Sequence, residues 1–254
     1  MTVAVRELTT IRELEQAADL FTATWPGQPP AGPNLLRAIS HAGGYVAGAS
    51  DERGVLVGAA MGFLAEYGGP ALHSHLAAVA PAARGAGVGV ALKRHQHAWA
   101  AAHGLVAVTW TFDPLVRRNA WLNIAKLGAG VEAYLPDFYG RMDDGINDGD
   151  ETDRLLAVWA TAPSPSGPPG ALPPSDQDAA PLLEEVSGAP VARHPPADAA
   201  MLAVATPPDV ETLRRTDPAL ALRWRRAVRD ALAPLLTHGQ VVGFTRGGSY
   251  LVRL

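Results

Sequence analysis

The sequence predicts an α/β fold, a sheet flanked by helices over residues 1–160, with a small α+β tail behind it. Three observations carry that prediction. Short apolar strands alternate with amphipathic helical stretches through the first 160 residues. A glycine cluster, Arg84 to Gly89, joins one of these strands to a long helix. Residues 161–190, "TAPSPSGPPGALPPSDQDAAP" onward, are rich in Pro, Ala, Gly and Ser and read as a linker before a tail over 191–254.

The elements follow in order. "VAVREL" is strand-like, and Thr10 to Glu13 is a capping-box pattern opening a helix with Ile11, Leu14, Ala18 and Phe21 on one face. "WPGQPPAGP" breaks the chain, and "NLLRAIS" is a second helix stopped by Gly43-Gly44. "YVAGAS" and "VLVGAAMGFLAEY" flank "DERG", a hairpin signal. The strand "HSHLAAVAP" leads through the glycines into a helix ending at Gly104. "LVAVTWTFD" is the next strand, and a helix from about Leu115 to Leu127 is stopped by Gly128. "AYLPDFYG" and "RLLAVWA" complete the first region. The tail holds "MLAVA", a helix through "PALALRWRRAVRDALAPLLTHG", and "QVVGF" and "YLVRL" around "TRGGS". One helix and three strands bury little alone, so the tail is expected to pack on the first domain or on a second subunit.

Composition narrows the function. The chain of 254 residues is 48% apolar and 18% charged, so a sizeable core is within reach, and its net charge of −4 holds no basic surplus for nucleic acid. There is no cysteine, which excludes disulfides, thiolate nucleophiles and Cys-ligated metals. The first residues carry acids rather than a continuous apolar stretch, and no apolar run approaches a membrane span. Two lysines, Lys93 and Lys126, stand among many arginines, which with abundant Ala, Gly and Pro points to a bacterial, cytoplasmic protein.

The glycine turn is suited to phosphate. Lys-Ser or Lys-Thr does not follow it, so a P-loop is excluded. A dinucleotide fingerprint fits poorly, because Val90 occupies its third glycine position and the strand is about the fourth in the chain. "R-G-A-G-V-G" has the Q/R-x-x-G-x-G/A form of the GCN5-related N-acetyltransferases, and residues 1–160 resemble that family in element order. The resemblance implies a mixed, mostly antiparallel sheet and acetyl-CoA or coenzyme A as acyl donor, with no metal. It implies that Arg84, Gly85, Ala86, Gly87, Val88 and Gly89 hold the pyrophosphate, while Ala77 and Val79 offer backbone to the pantetheine arm. The region "WTFDPLVRRNAWLNIAKLG" and the "HSH" together resemble an uncharacterised two-domain branch with a C-terminal extension.

Transfer to an amine needs a base. Counting back by two from Val79 puts Ala77, His75 and His73 on one strand face, and either imidazole has a suitable pKa; a structural pair of histidines is the other reading. The family's tyrosine acid, four residues before the glycine of "KLG", is Ile124 here. Tyr134 and Tyr139 are the nearby tyrosines, with Tyr139 the candidate acid. Asn119, displaced by about two residues from the family's asparagine, is a candidate contact for pantetheine. The expected function is acyl transfer to a small-molecule or peptide amine in a ternary complex, with a homodimer among the expected assemblies. The alternative is a coenzyme A-binding module without turnover. Weaker signals read blandly: "DDGINDGDETD" lacks calcium-loop spacing, His95 and His97 cannot share a metal on one helix face, and the arginines of "RWRRAVRD" form a solvated face. Trp25 is a candidate wall for the acceptor or a structural tryptophan.

Overall fold

The computed structural model describes residues 2–25, 31–140, 150–162 and 179–254. The chain divides into two compact units: unit 1 is Met1–Trp110 with Trp159–Pro163, and unit 2 is Thr111–Val158 with Ser164–Leu254. The single boundary expected at residue 160 is thereby corrected. The chain passes between units inside two strands, β5 (Ala107–Phe112) and β7 (Arg154–Ala160), which a break in composition cannot reveal.

Unit 1 opens with β1 (Ala4–Glu7) and α1 (Ile11–Thr24). The capping box forms as read: the Glu13 amide donates to Thr10 Oγ1, and the Glu13 carboxylate accepts from the Thr10 amide at 2.9 Å. Then come α2 (Pro33–His41), β2 (Tyr45–Ser50), β3 (Leu56–Glu66), β4 (Pro70–Val79), α3 (Val88–Ala102) and the first part of β5. The strand order is β1-β2-β3-β4-β5, antiparallel except for the β4–β5 pair. Leu14, Ala17, Ala18 and Phe21 of α1 and Leu36 of α2 bury against Val46, Ala59, Met61, Leu76 and Ala78 of the sheet. That face is the hydrophobic floor of the unit. Helix α3 covers the other face, where Gly58 lets it in: a Cβ there would lie 2.7 Å from Val88 Cγ1.

Unit 2 contains α4 (Arg117–Ala120), which widens into a π turn over Trp121–Lys126, so the helix predicted as one piece from Leu115 to Leu127 has two geometries. The hairpin of β6 (Gly130–Leu135) with β7 follows. A second sheet, in order β11-β12-β10-β8-β9, is built from β8 (Ala180–Val186), β9 (Ala189–Ala192), β10 (Met201–Ala205), β11 (Gln240–Phe244) and β12 (Ser249–Arg253). Helices α5 (Val210–Thr216) and α6 (Pro218–Leu235) complete it. The expected linker is corrected in its last part, where 180–190 belong to β8 and β9; residues 163–178 lie outside the described residues. Pro181 disguised β8; it stands opposite Ala203 of β10 where that register shifts, an irregularity of the kind that accommodates a strand proline. The tail packs on residues before 160: Tyr250 donates to the Pro114 carbonyl at 2.7 Å, and Trp224, Val228, Leu232, Phe244, Tyr250 and Leu251 are fully buried. Among the described residues, no helix is long and apolar enough to cross a membrane.

Candidate functional site

The strand β4 ends at Val79, Pro81–Ala83 make one 3-10 turn, and the glycines deliver the chain into α3. Gly85 and Gly87 have φ of +79° and +85°, a conformation that costs an L side chain about 1–2 kcal/mol. Gly87 is the N-cap of α3 and offers no side chain to cap it. Consequently the amides of Gly85, Gly87, Val88, Gly89 and Val90 have no acceptor among the described residues. Four of them are consecutive at the positive end of a 15-residue helix. Arg84 is exposed beside them, its Nε 3.4 Å from the Val79 carbonyl. This is a cradle for an anion, and a pyrophosphate fits its donors.

The strand before the turn is irregular, and the irregularity places the histidines. Met61 of β3 faces Leu76, but Gly62 faces Ser74, so His75 is an extra residue on β4, a bulge. Above the bulge, Leu76 and Ala78 point into the α1–α2 core, which leaves Ala77 and Val79 on the α3 face. Below it, Ser74 points to α3, and His73 lies opposite Phe63 on the other face. The expectation that Ala77, His75 and His73 share a face is therefore corrected: the extra residue flips the alternation. His73 and His75 do meet, with ring centroids 6.2 Å apart, and the Phe63 ring lies 5.2 and 5.6 Å from them.

The electrostatics of the pair favour neutral imidazoles. Burial, the neighbouring His75 and Lys93 push the His73 pKa down to about 4. His73 is also anchored, with Nδ1 3.1 Å from Thr109 Oγ1. His75 is exposed and lowered by partial burial, and its ring has no hydrogen-bond partner among the described residues. Behind them sits a group that motif reading passes over. Lys93 of α3, 6% exposed, donates to Ser74 Oγ at 2.8 Å and lies 4.0 Å above the Trp110 ring. Burial pushes its pKa down to about 7. Ser74 in turn donates to Gln96 Oε1 at 2.9 Å.

The neighbouring strand leaves β4 open. The parallel ladder between β4 and β5 covers only Leu72–Val108 and His73–Thr109. From Ser74 to Val79 the β5-side edge of β4 has no ladder partner in unit 1, which frees backbone groups for an extended ligand.

Unit 2 holds the other candidates. The Asn119 side chain has no hydrogen-bond partner among the described residues. Ile124, 8% exposed, packs within the π turn. Tyr139 is exposed, its hydroxyl 3.1 Å from Thr111 Oγ1 and its ring under the Arg154 guanidinium at 5.2 Å. Tyr134 is committed elsewhere, donating to Asp153 Oδ2 at 2.6 Å. The arginine face of α6 is a correction: Arg225 is 0% exposed and bonds Asp113 at 2.8 and 3.0 Å and Asp150 at 2.9 Å. Arg214 adds further bonds to Asp113 and Asp150, and Arg229 holds Glu151 and Asp153. Of the acidic stretch, residues 143–149 lie outside the described residues; Asp150, Glu151 and Asp153 serve these arginines. Trp25 packs on Phe21 beside the α1 core, with the loop after it outside the described residues.

Residues 12–127 match the Acetyltransferase (GNAT) family. No curated protein matches the chain. Among solved structures, a phosphinothricin acetyltransferase from Sinorhizobium meliloti in complex with AcCoA is 18% identical, with a TM-score of 0.54, over 66% of this chain and 94% of that one. An aminoglycoside 6'-acetyltransferase type Ii is 19% identical, with a TM-score of 0.52, over 65% and 100%. An N-acetyltransferase from Staphylococcus aureus Mu50 is 13% identical, with a TM-score of 0.53, over 64% and 100%. At these identities the likeness establishes the fold.

Proposed function

We propose, from the match of residues 12–127 to the Acetyltransferase (GNAT) family, that the chain transfers the acetyl group of acetyl-CoA directly to an amine, with His75 as base. The observation that carries this reading is the run of free amides from Gly87 to Val90, on a helix whose preceding strand is unpaired along its β5-side edge. In a ternary complex without a covalent enzyme intermediate, the amine nitrogen bonds to the acetyl carbon of acetyl-CoA as its C–S bond breaks, and coenzyme A leaves as a thiolate that takes a proton from solvent. The amides of Gly85 and of Gly87 to Val90 hold the pyrophosphate, whereas the Ala86 amide is taken by the Ala83 carbonyl, and the backbone of Ala77 and Val79 lies along the pantetheine.

The amine must be neutral to react, so a group near it must take its proton. His75 suits this task better than His73. It is exposed and unpartnered, whereas His73 is tied to Thr109 and held at about 4. His73 positions its neighbour through the shared Phe63 wall and, being neutral, adds no charge to repel an incoming cation. Phe63, 40% exposed, gives the acceptor an apolar surface beside the base. A small amine with an apolar flank is the acceptor this surface favours.

The alternative is a coenzyme A-binding module, favoured by Ile124 where the family places a tyrosine acid. Thioester cleavage across a panel of amines separates the two. The wild type is expected to cleave acetyl-CoA, and His75→Ala to lose about 10²-fold or more in kcat while coenzyme affinity persists. Burial lowers the His75 pKa, so the acid limb of the kcat/KM profile should fall at lower pH than for a free imidazole, and the limb should vanish in His75→Ala. No cleavage by the wild type, with coenzyme bound, selects the binding module.

A further inference from the structure

A cleft of about 550 Å³ opens in unit 2, within the range of small-molecule sites. It is lined by α4, the π turn and the turn between β11 and β12, and its lining includes Arg117, Arg118, Lys126 and Arg246 with no carboxylate. Two of the cations are anchored. Arg117 donates from Nε to Thr206 Oγ1 at 3.1 Å and from Nη2 to the Thr206 carbonyl. The turn accommodates it through Gly248, at φ +92°, where a Cβ would overlap the guanidinium. Arg118 forks onto Glu211, with Nη2 2.7 Å from Oε1. The other two are uncommitted: among the described residues neither Lys126 nor Arg246 has an acidic partner, and Arg246 only overlies the Trp121 ring at 5.9 Å.

Arg118 is paired with Glu211, and Glu185 and Asp209 also act on Arg117 and Arg118. The two positive charges of Lys126 and Arg246 are left to be met from outside. A monocarboxylate meets one of them, whereas a phosphate dianion meets two and accepts hydrogen bonds from guanidinium forks and an ammonium together. We propose that this cleft binds a multiply charged phosphate group. The lining holds no residue of the glycine turn. The ligand this chemistry fits is a free phosphorylated small molecule.

The test is calorimetric titration of pyrophosphate into the full chain carrying Gly87→Ala, which strains and weakens the glycine turn, with and without Lys126→Ala and Arg246→Ala. Saturable binding that weakens about tenfold or more when both cations are removed, and is kept by Lys126→Arg, is the expected result. Both side chains are exposed, and an unchanged melting temperature shows that the variants fold. A parallel arm in the native glycine background repeats the titration on protein saturated with coenzyme A, and pyrophosphate is still expected to enter. Equal pyrophosphate affinity with and without the two cations overturns the proposal. Loss of coenzyme affinity in Gly87→Ala alone reports on the acetyl-CoA site and leaves the cleft standing.

Discussion

Each unit buries positive charge, and the two do it in opposite ways. In unit 1 Lys93 lies beneath the sheet with a hydroxyl and an indole face for company, so its proton is weakly held. In unit 2 Arg214 and Arg225 are as deeply buried, but Asp113 and Asp150 face them. Burial disfavours the ionised form of Asp113, yet Arg225 and Arg214 outweigh it and hold the carboxyl far below its usual range. The same desolvation thus gives an amine close to neutrality in one place and a permanent ionic cluster in the other. A partner of opposite charge decides which.

Removing one member of the cluster should have the largest effect. Arg225→Met strands Asp113 and Asp150 and is expected to cost roughly 3–5 kcal/mol in chemical denaturation. Survival of full stability would mean that water or Arg214 alone satisfies both carboxylates. Lys93→Met should act in the reverse direction, stabilising the chain at pH 7 by on the order of 2 kcal/mol. Unfolded, the amine keeps its proton up to about 10.5, and folded only to about 7, so the unfolded state binds more protons between them. Wild-type stability should therefore gain from this group as pH rises from 7 to 10.5, and Lys93→Met should lose that gain. Asp113 gives the mirror image. Its contribution is complete above its unfolded pKa near 3.8 and is lost as pH falls further, so Asp113→Asn should be less stable at pH 7 and show a shallower acid slope. The smallest expected effect is Gly87→Ala, about 1–2 kcal/mol of backbone strain from a φ of +85°, together with weaker coenzyme binding. Thermal melts with and without acetyl-CoA separate those two losses.

What was legible in the sequence was local. The capping box of α1 and the glycine entry to α3 depend on residues a few positions apart, and both form as read. The bulge could not be read from β4, because only its register with β3 shows which residue is extra. Arg225 misled for a similar reason: a basic run on a helix looks solvated until its partners, 112 and 75 positions away, arrive. Helix α5 did carry a sign, Asp209 accepting from the Thr212 amide, and Asp217 before Pro218 opens α6 in the same way. Lys93 is the instructive omission. One of only two lysines, set at a helical position that faces the sheet, was a signal in plain view.

The bulge has one more consequence. Strike His75 from the chain and the alternation on either side closes up: Leu76 still faces the α1 core, Ser74 still faces α3, and His73 still sits opposite Phe63. The ladder has no need of the residue, so a lineage could discard it by losing a single codon and keep its architecture. Pressure to retain an imidazole at that position would come from what the side chain does in the open, because the scaffold around it is indifferent.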